Sequence, residues 1–231
     1  MNLTKIVSFV LLVLGLQSSK LYAQKNLGFY AGPSAARFLV APKNDEARSK
    51  IEPGASLGAY YETKYDSTAY LQFGLQYHYQ LANLELESSG PSSGSYSYTD
   101  YRFQSLRLSI GYGIKLTPGR KMDTRILIGA YSSYNFRTRI KGNSWSYQPA
   151  TAIDTAGNEV HYSVSTSDEF NRYDKGAISP FLFGAYLGWS TAFPVNERTS
   201  FLINNIFYLN FGSKGGGLLT GILGFGITYK L

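Results

Sequence analysis

Two histidines, His78 and His161, are the only imidazoles in the sequence, and there is no cysteine. Any acid–base, nucleophilic or metal chemistry at neutral pH would have to be built around them. His161-Tyr162-Ser163 places an imidazole two residues from a hydroxyl, with Glu159 and Glu169 as candidate orienting acids, which is the nucleophile–base–orienter arrangement in outline. His78 lies between Tyr77 and Tyr79. A metal there would need several further converging ligands, and the surrounding sequence supplies none. The absence of cysteine removes disulfides, thiolate metal sites, a thiol nucleophile and a lipid-modified N-terminal Cys. Also missing are a Gly-rich phosphate loop, a G-x-S-x-G elbow and a helix face of paired carboxylates. No catalytic residue, cofactor or metal is therefore expected, and His78 is read as a hydrogen-bonded structural residue.

The elements that must position these residues are strands. Charged residues make up only 16% of the chain and aromatics another 16%, a balance that suits neither a soluble surface nor disorder. From Leu71 to Leu81 every second residue is apolar or aromatic, with Gln72, Gly74, Gln76, His78 and Gln80 between them. The same period of two runs from Leu106 to Leu116 and from Leu223 to Leu231. Stretches of about ten alternating residues separated by turn chemistry are the pattern of membrane β-strands. Eight such runs are expected, over 26–39, 55–64, 69–87, 102–116, 124–139, 179–193, 200–212 and 218–231. Pro33 interrupts the first, as a bulge or edge position allows.

The connections over 65–68, 117–123 and 194–199 are short, whereas 40–54, 88–101 and 140–178 are long, with 213–217 a short Gly-rich exception. Short periplasmic turns and long outer loops on an even number of strands fit an outer-membrane barrel with both termini in the periplasm. Aromatic residues support it. Tyr77, Tyr79, Tyr134, Phe136, Phe181, Phe183 and Phe211 fall at one interface, and Tyr61, Trp189, Phe193, Phe201 and Tyr229 at the other. A soluble barrel would reverse the faces; Asn205 alone misfits on the lipid side. Residues 1–23 read as a cleaved secretory signal, with a basic start, an apolar run too short to span a bilayer, and Ala23 at the cleavage site. The formal charge of +7 is scattered rather than clustered, which excludes nucleic acid as a partner.

The opening Asn26-Leu27-Gly28-Phe29-Tyr30-Ala31-Gly32, the alternation, and the ending Gly224-Phe225-Gly226-Ile227-Thr228-Tyr229-Lys230-Leu231 resemble the small eight-stranded outer-membrane β-barrel proteins, the OmpA-transmembrane-domain and OmpX type. The resemblance covers residues 24–231 and implies an all-β, up-and-down transmembrane barrel in the outer membrane. It also implies a final strand read by the barrel-assembly machinery, here ending in Leu231 where Phe is common; no peptidoglycan-binding domain is expected after that strand. His161-Tyr162-Ser163 is similar over three residues to the H-x-S pair of outer-membrane lipid A deacylases, but Val164 stands where that family has Asn.

On this register Glu62, Gln72, Gln76, His78, Arg107, Lys115, Arg125, Tyr131, Asn204 and Lys230 line the lumen, with Arg137 as a further base. An eight-stranded barrel is just wide enough for side chains to fill. Two readings follow: a plugged polar core in which Glu62 pairs with a lumenal Arg, or a narrow anion-preferring path. Outside, residues 140–178 contain two strand-like runs around a Gly-containing turn, a projecting hairpin whose edge could pair with a partner. Trp145, Tyr147, His161 and Tyr162 are its candidate contact residues. Residues 88–101 read as a flexible, solvated Ser/Gly/Tyr loop. The expected function is a non-enzymatic structural or surface-recognition role, in contact with outer-membrane lipid and with an extracellular or envelope partner. The alternatives are a small porin-like channel and, third, a lipid A-modifying enzyme.

Overall fold

Strands form where one residue in two faces lipid and the next faces a packed polar interior, and that alternation organises the whole chain. The computed structural model describes residues 25–39, 46–64, 68–89, 93–116, 122–153, 155–174, 178–211 and 217–231. The signal expected over 1–23 lies outside them. Ten antiparallel strands are present among the described residues: β1 (Lys25–Leu39), β2 (Glu46–Arg48), β3 (Glu52–Lys64), β4 (Ala69–Ser89), β5 (Gly94–Lys115), β6 (Asp123–Ile153), β7 (Glu159–Tyr173), β8 (Phe181–Pro194), β9 (Thr199–Phe211) and β10 (Gly217–Lys230). Eight of them close a ring in the order β1-β3-β4-β5-β6-β8-β9-β10, with β10 returning to β1. Closure leaves no sheet edge inside the membrane, where an unpaired backbone amide has no water to satisfy it.

The faces sort as expected of a membrane barrel. Leu57, Leu75, Leu108, Ile128, Leu187 and Ile227 point outward and are exposed, while Gln72, Gln76, Asn204 and Asn210 are buried inside. Aromatic pairs mark both rims of the apolar band: Tyr134 and Phe181 with ring centres 5.0 Å apart at one, Phe193 and Phe201 at 6.5 Å at the other. Pro33 sits in the closing strand rather than at an edge. Its missing donor falls on the β10 side, where the ladder skips from Ala31↔Phe225 to Ser34↔Ile222, while the β3 side stays paired.

Two sequence expectations are corrected. Residues 94–101 are not a loop: they belong to β5, held between β4 (Glu87↔Tyr96) and β6 (Tyr96↔Trp145). Nor does β6 end near Arg139; it continues to Ile153, and β7 folds back on it around a turn in which Gly157 has φ of +86°. Such a left-handed turn residue favours glycine. With β2 added to β4, the far ends of β2, β4, β5, β6 and β7 form a five-stranded wall that continues one side of the barrel beyond the aromatic level.

Candidate functional site

Two surfaces hold the polar chemistry: the inside of the ring and the wall above it. Nearest the chain termini, Glu62 (2% exposed) lies against Arg125 (3%), Nη1 to Oε2 at 2.5 Å. Gln72 Nε2 donates to Glu62 at 3.0 Å, and Asn26 Nδ2 at 3.4 Å. Arg125 also reaches Asp123 at 3.5 Å and packs over the Tyr70 ring, and Asp123 holds Lys115 at 3.2 Å. A buried carboxylate surrounded by donors of this kind has its oxygens hydrogen-bonded within the protein, which offsets the cost of burying it. Lys230 is exposed on the rim beside Arg198 and Glu197, not within the ring.

One layer further in, Arg107 donates to Gln76 at 3.2 Å and lies 3.9 Å from the Tyr208 ring centre and 4.6 Å from that of Tyr131. The Tyr131 hydroxyl donates to Asn210. Asn204 is buried in the same half of the ring. His78 is wholly buried, with Nε2 2.9 Å from Gln80 Oε1, and Ser34 donates to the same oxygen at 3.0 Å. Among the described residues no group of three or more His, Asp and Glu could hold a metal. The large tyrosines fit because glycines face them: a Cβ on Gly58 would lie 2.5 Å from the Tyr30 ring, and one on Gly184 2.7 Å from Tyr131.

The third layer is one that sequence reasoning missed. Ala36, Phe38, Ala82, Leu84, Phe103, Ile178, Leu182 and Leu218 form a buried apolar cluster inside the far end of the ring. It stops the polar interior before it reaches the wall. Its signal was present, since Phe38, Leu84 and Leu218 continue the inward parity of their strands.

Arg137 does not join the inward set. The β5–β6 register shifts between Gln104 and Ser105, from Gln104↔Arg137 to Ser105↔Asn135, which makes Phe136 an extra residue. A bulge of this kind lets two consecutive residues face the same side, and both Phe136 and Arg137 are exposed. Asn205 faces outward, opposite Trp189 on β8 and Leu223 on β10.

On the wall, Trp145 and Tyr147 are close neighbours with ring centres 5.3 Å apart. His161 and Tyr162 are exposed on β7, and His161 Nδ1 lies 3.1 Å from Thr151 Oγ1 rather than against Ser163. Glu169 stands eight residues along the same strand, roughly 26 Å away at the usual rise, too far to orient that imidazole. The Tyr96 hydroxyl donates to Glu85 at 2.9 Å, and that bond to a carboxylate raises its pKa. Tyr98 is raised in the same way by Asp100. Tyr173 is lowered, because Arg137 donates to its oxygen at 2.6 Å and favours the phenolate.

With this geometry in view, comparison with known proteins is direct. The family model described as outer membrane protein beta-barrel domain matches residues 17–213. The chain belongs to that family. Its place is accordingly the outer membrane, and its fold an all-β, eight-stranded antiparallel barrel. No curated protein matches the sequence. Among solved structures, the chain is similar to the attachment invasion locus protein Ail of Yersinia pestis at 11% identity, covering 90% of this chain and 99% of that one, with a TM-score of 0.40. Neisserial surface protein A gives 12% identity, 90% and 97% coverage and a TM-score of 0.41. OprG of Pseudomonas aeruginosa gives 9%, 90%, 97% and 0.43. In barrels of this family type the short connections face the periplasm and the long ones the exterior. That rule turns the end with both termini inward and the wall outward.

Proposed function

We infer that this chain is a non-enzymatic outer-membrane protein that acts by surface recognition, through the wall built from β5, β6 and β7. The observation that carries the reading is the free edge of β7. Among the described residues the strand pairs with β6 alone, so from Glu159 to Tyr173 none of them pairs with its other row of backbone donors and acceptors. Val160, Tyr162 and Val164 stand exposed on one face of it, an apolar strip between polar neighbours. Unpaired edges of this length are normally covered or blunted in proteins that must not associate. An extended partner segment added to such an edge gains main-chain hydrogen bonds and side-chain contacts together.

The interior supports the same reading. Salt-bridged groups, stacked tyrosines and the apolar cluster occupy successive levels of the ring, which speaks for a plug rather than the channel alternative. The exposed His161, paired with Thr151 and remote from Glu169, gives no support to lipid A hydrolysis.

The test is deletion of residues 144–174 from the full chain. A photocrosslinker at position 162 on intact cells is expected to give a discrete adduct. The deletion variant, carrying the crosslinker at position 96 instead, is expected to lose it while keeping its heat-dependent gel shift. An adduct that survives the deletion contradicts the proposal.

A further inference from the structure

Three arginines lie together on the outward face of the barrel just above its aromatic rim. Arg102 and Arg139 are directly opposite one another on β5 and β6, and Arg137 is opposite Gln104 two residues below Arg139. Like charges placed directly across a ladder repel. Among the described residues no carboxylate lies within ion-pair distance of any of the three. Their partners among the described residues are neutral. Arg139 Nε donates to Asn171 at 2.9 Å, Arg137 donates to the Tyr173 hydroxyl at 2.6 Å, and both guanidiniums stand over the Tyr173 ring, at 5.8 and 5.0 Å. Arg102 makes no side-chain hydrogen bond to any of the described residues. Tyr79, Arg102, Gln104, Arg137, Arg139 and Tyr173 line a groove of about 200 Å³. Arg102 and Arg139 continue into a second hollow with Asp100, Lys141 and Asn171, where Asp100 stands opposite Lys141.

The groove's height names its occupant. Arg137 directly follows Phe136, whose ring lies 6.3 Å from that of Tyr77 in the outer aromatic rim. Arg139 is three residues beyond, about 10 Å along the strand. Aromatic rims sit at the headgroup level, so the guanidiniums stand in the layer where lipid phosphates lie. The bulge at Phe136 is what puts Arg137 on this face, adding a third cation to the pair. Planar guanidiniums with spare donors bind phosphate oxygens two at a time.

We propose that the groove between Arg102, Arg137 and Arg139 binds the phosphate groups of an outer-leaflet lipid headgroup and clamps that lipid against the β5–β6 face. The bound anion offsets the repulsion of the opposed arginines, and Tyr173 and Asn171 hold two of the guanidiniums in place for it. Because both belong to β7, occupancy also ties the base of the projecting hairpin to the membrane surface.

The experiment uses the full-length protein in phosphatidylcholine nanodiscs, with native mass spectrometry reading the lipid bound. The probe is lipid A carrying two phosphates, compared with the same lipid A after enzymatic dephosphorylation. The wild-type protein is expected to prefer the phosphorylated form. Arg102→Gln/Arg137→Gln/Arg139→Gln together should weaken it about a hundredfold, at about fivefold per basic residue near an anionic surface. The corresponding triple Lys variant, which keeps the charge but not the paired donors, should bind more tightly than the Gln variant and less tightly than the wild type. Equal binding of phosphorylated and dephosphorylated lipid by the wild-type protein overturns the proposal, and this arm needs no variant to fold. Full displacement of lipid A by millimolar inorganic phosphate also overturns it, because the groove would then be a site for free anions.

Discussion

Among the described residues Glu62 is the only buried acid, and the charge balance of the interior rests on it. Its partner Arg125 is equally buried. Arg125→Gln leaves an uncompensated carboxylate and is expected to destabilise the barrel by about 3–5 kcal/mol. Glu62→Leu with Arg125→Met, which removes both charges, should cost clearly less. Urea unfolding in detergent measures both; a single variant no worse than the double would show that the pair does not set the balance. Gly58→Ala is a second test at this scale. Its new methyl would lie 2.5 Å from the Tyr30 ring in a filled interior, and a loss of about 1–3 kcal/mol is expected by the same assay. Glu62 and its arginine were legible in the sequence because alternation alone assigns parity. Arg137 was not, since an inserted residue on one strand reverses parity and leaves no mark in composition.

At the scale of elements, the extension of β5 is the informative case. In a Ser/Gly-rich stretch, residues 94–101 alternate only Tyr96 and Tyr98 with Ser95, Ser97 and Thr99, a weak local sign of a strand. They are one because β4 and β6 supply ladders on both sides, a tertiary context that overrides weak propensity. The hairpin of β6 and β7, by contrast, was readable from its two strand-like runs and its Gly-containing turn. Hydrogen exchange separates these situations. Amides of Tyr96 to Tyr101 are expected to be uniformly protected, bonded from either side. Those of β7 should alternate between protected and fast, because only the half facing β6 is bonded. Fast exchange throughout 94–101 would contradict the wall, and uniform protection of β7 would mean its second edge is covered.

For the whole molecule, the sequence carried the closed ring, the strand count and the sorting of faces, since each follows from period-two patterning against two solvents. It did not carry the stopper at the far end. Phe38, Leu84 and Leu218 each keep the inward parity of their strands, but only the pairing register brings them to one level as an apolar layer. On the proposed reading, that cluster and the ionic and tyrosine layers beneath it make the molecule a filled scaffold carrying an outer wall rather than a conduit. The most direct measurement is single-channel recording of the purified full-length protein in planar bilayers. The wild-type barrel should insert, as judged by its heat-dependent gel shift in the same preparation, and give no unit conductance. Steady ohmic steps whose anion preference reverses in Arg107→Glu would contradict the account, because ions would then be crossing the layers described as packed.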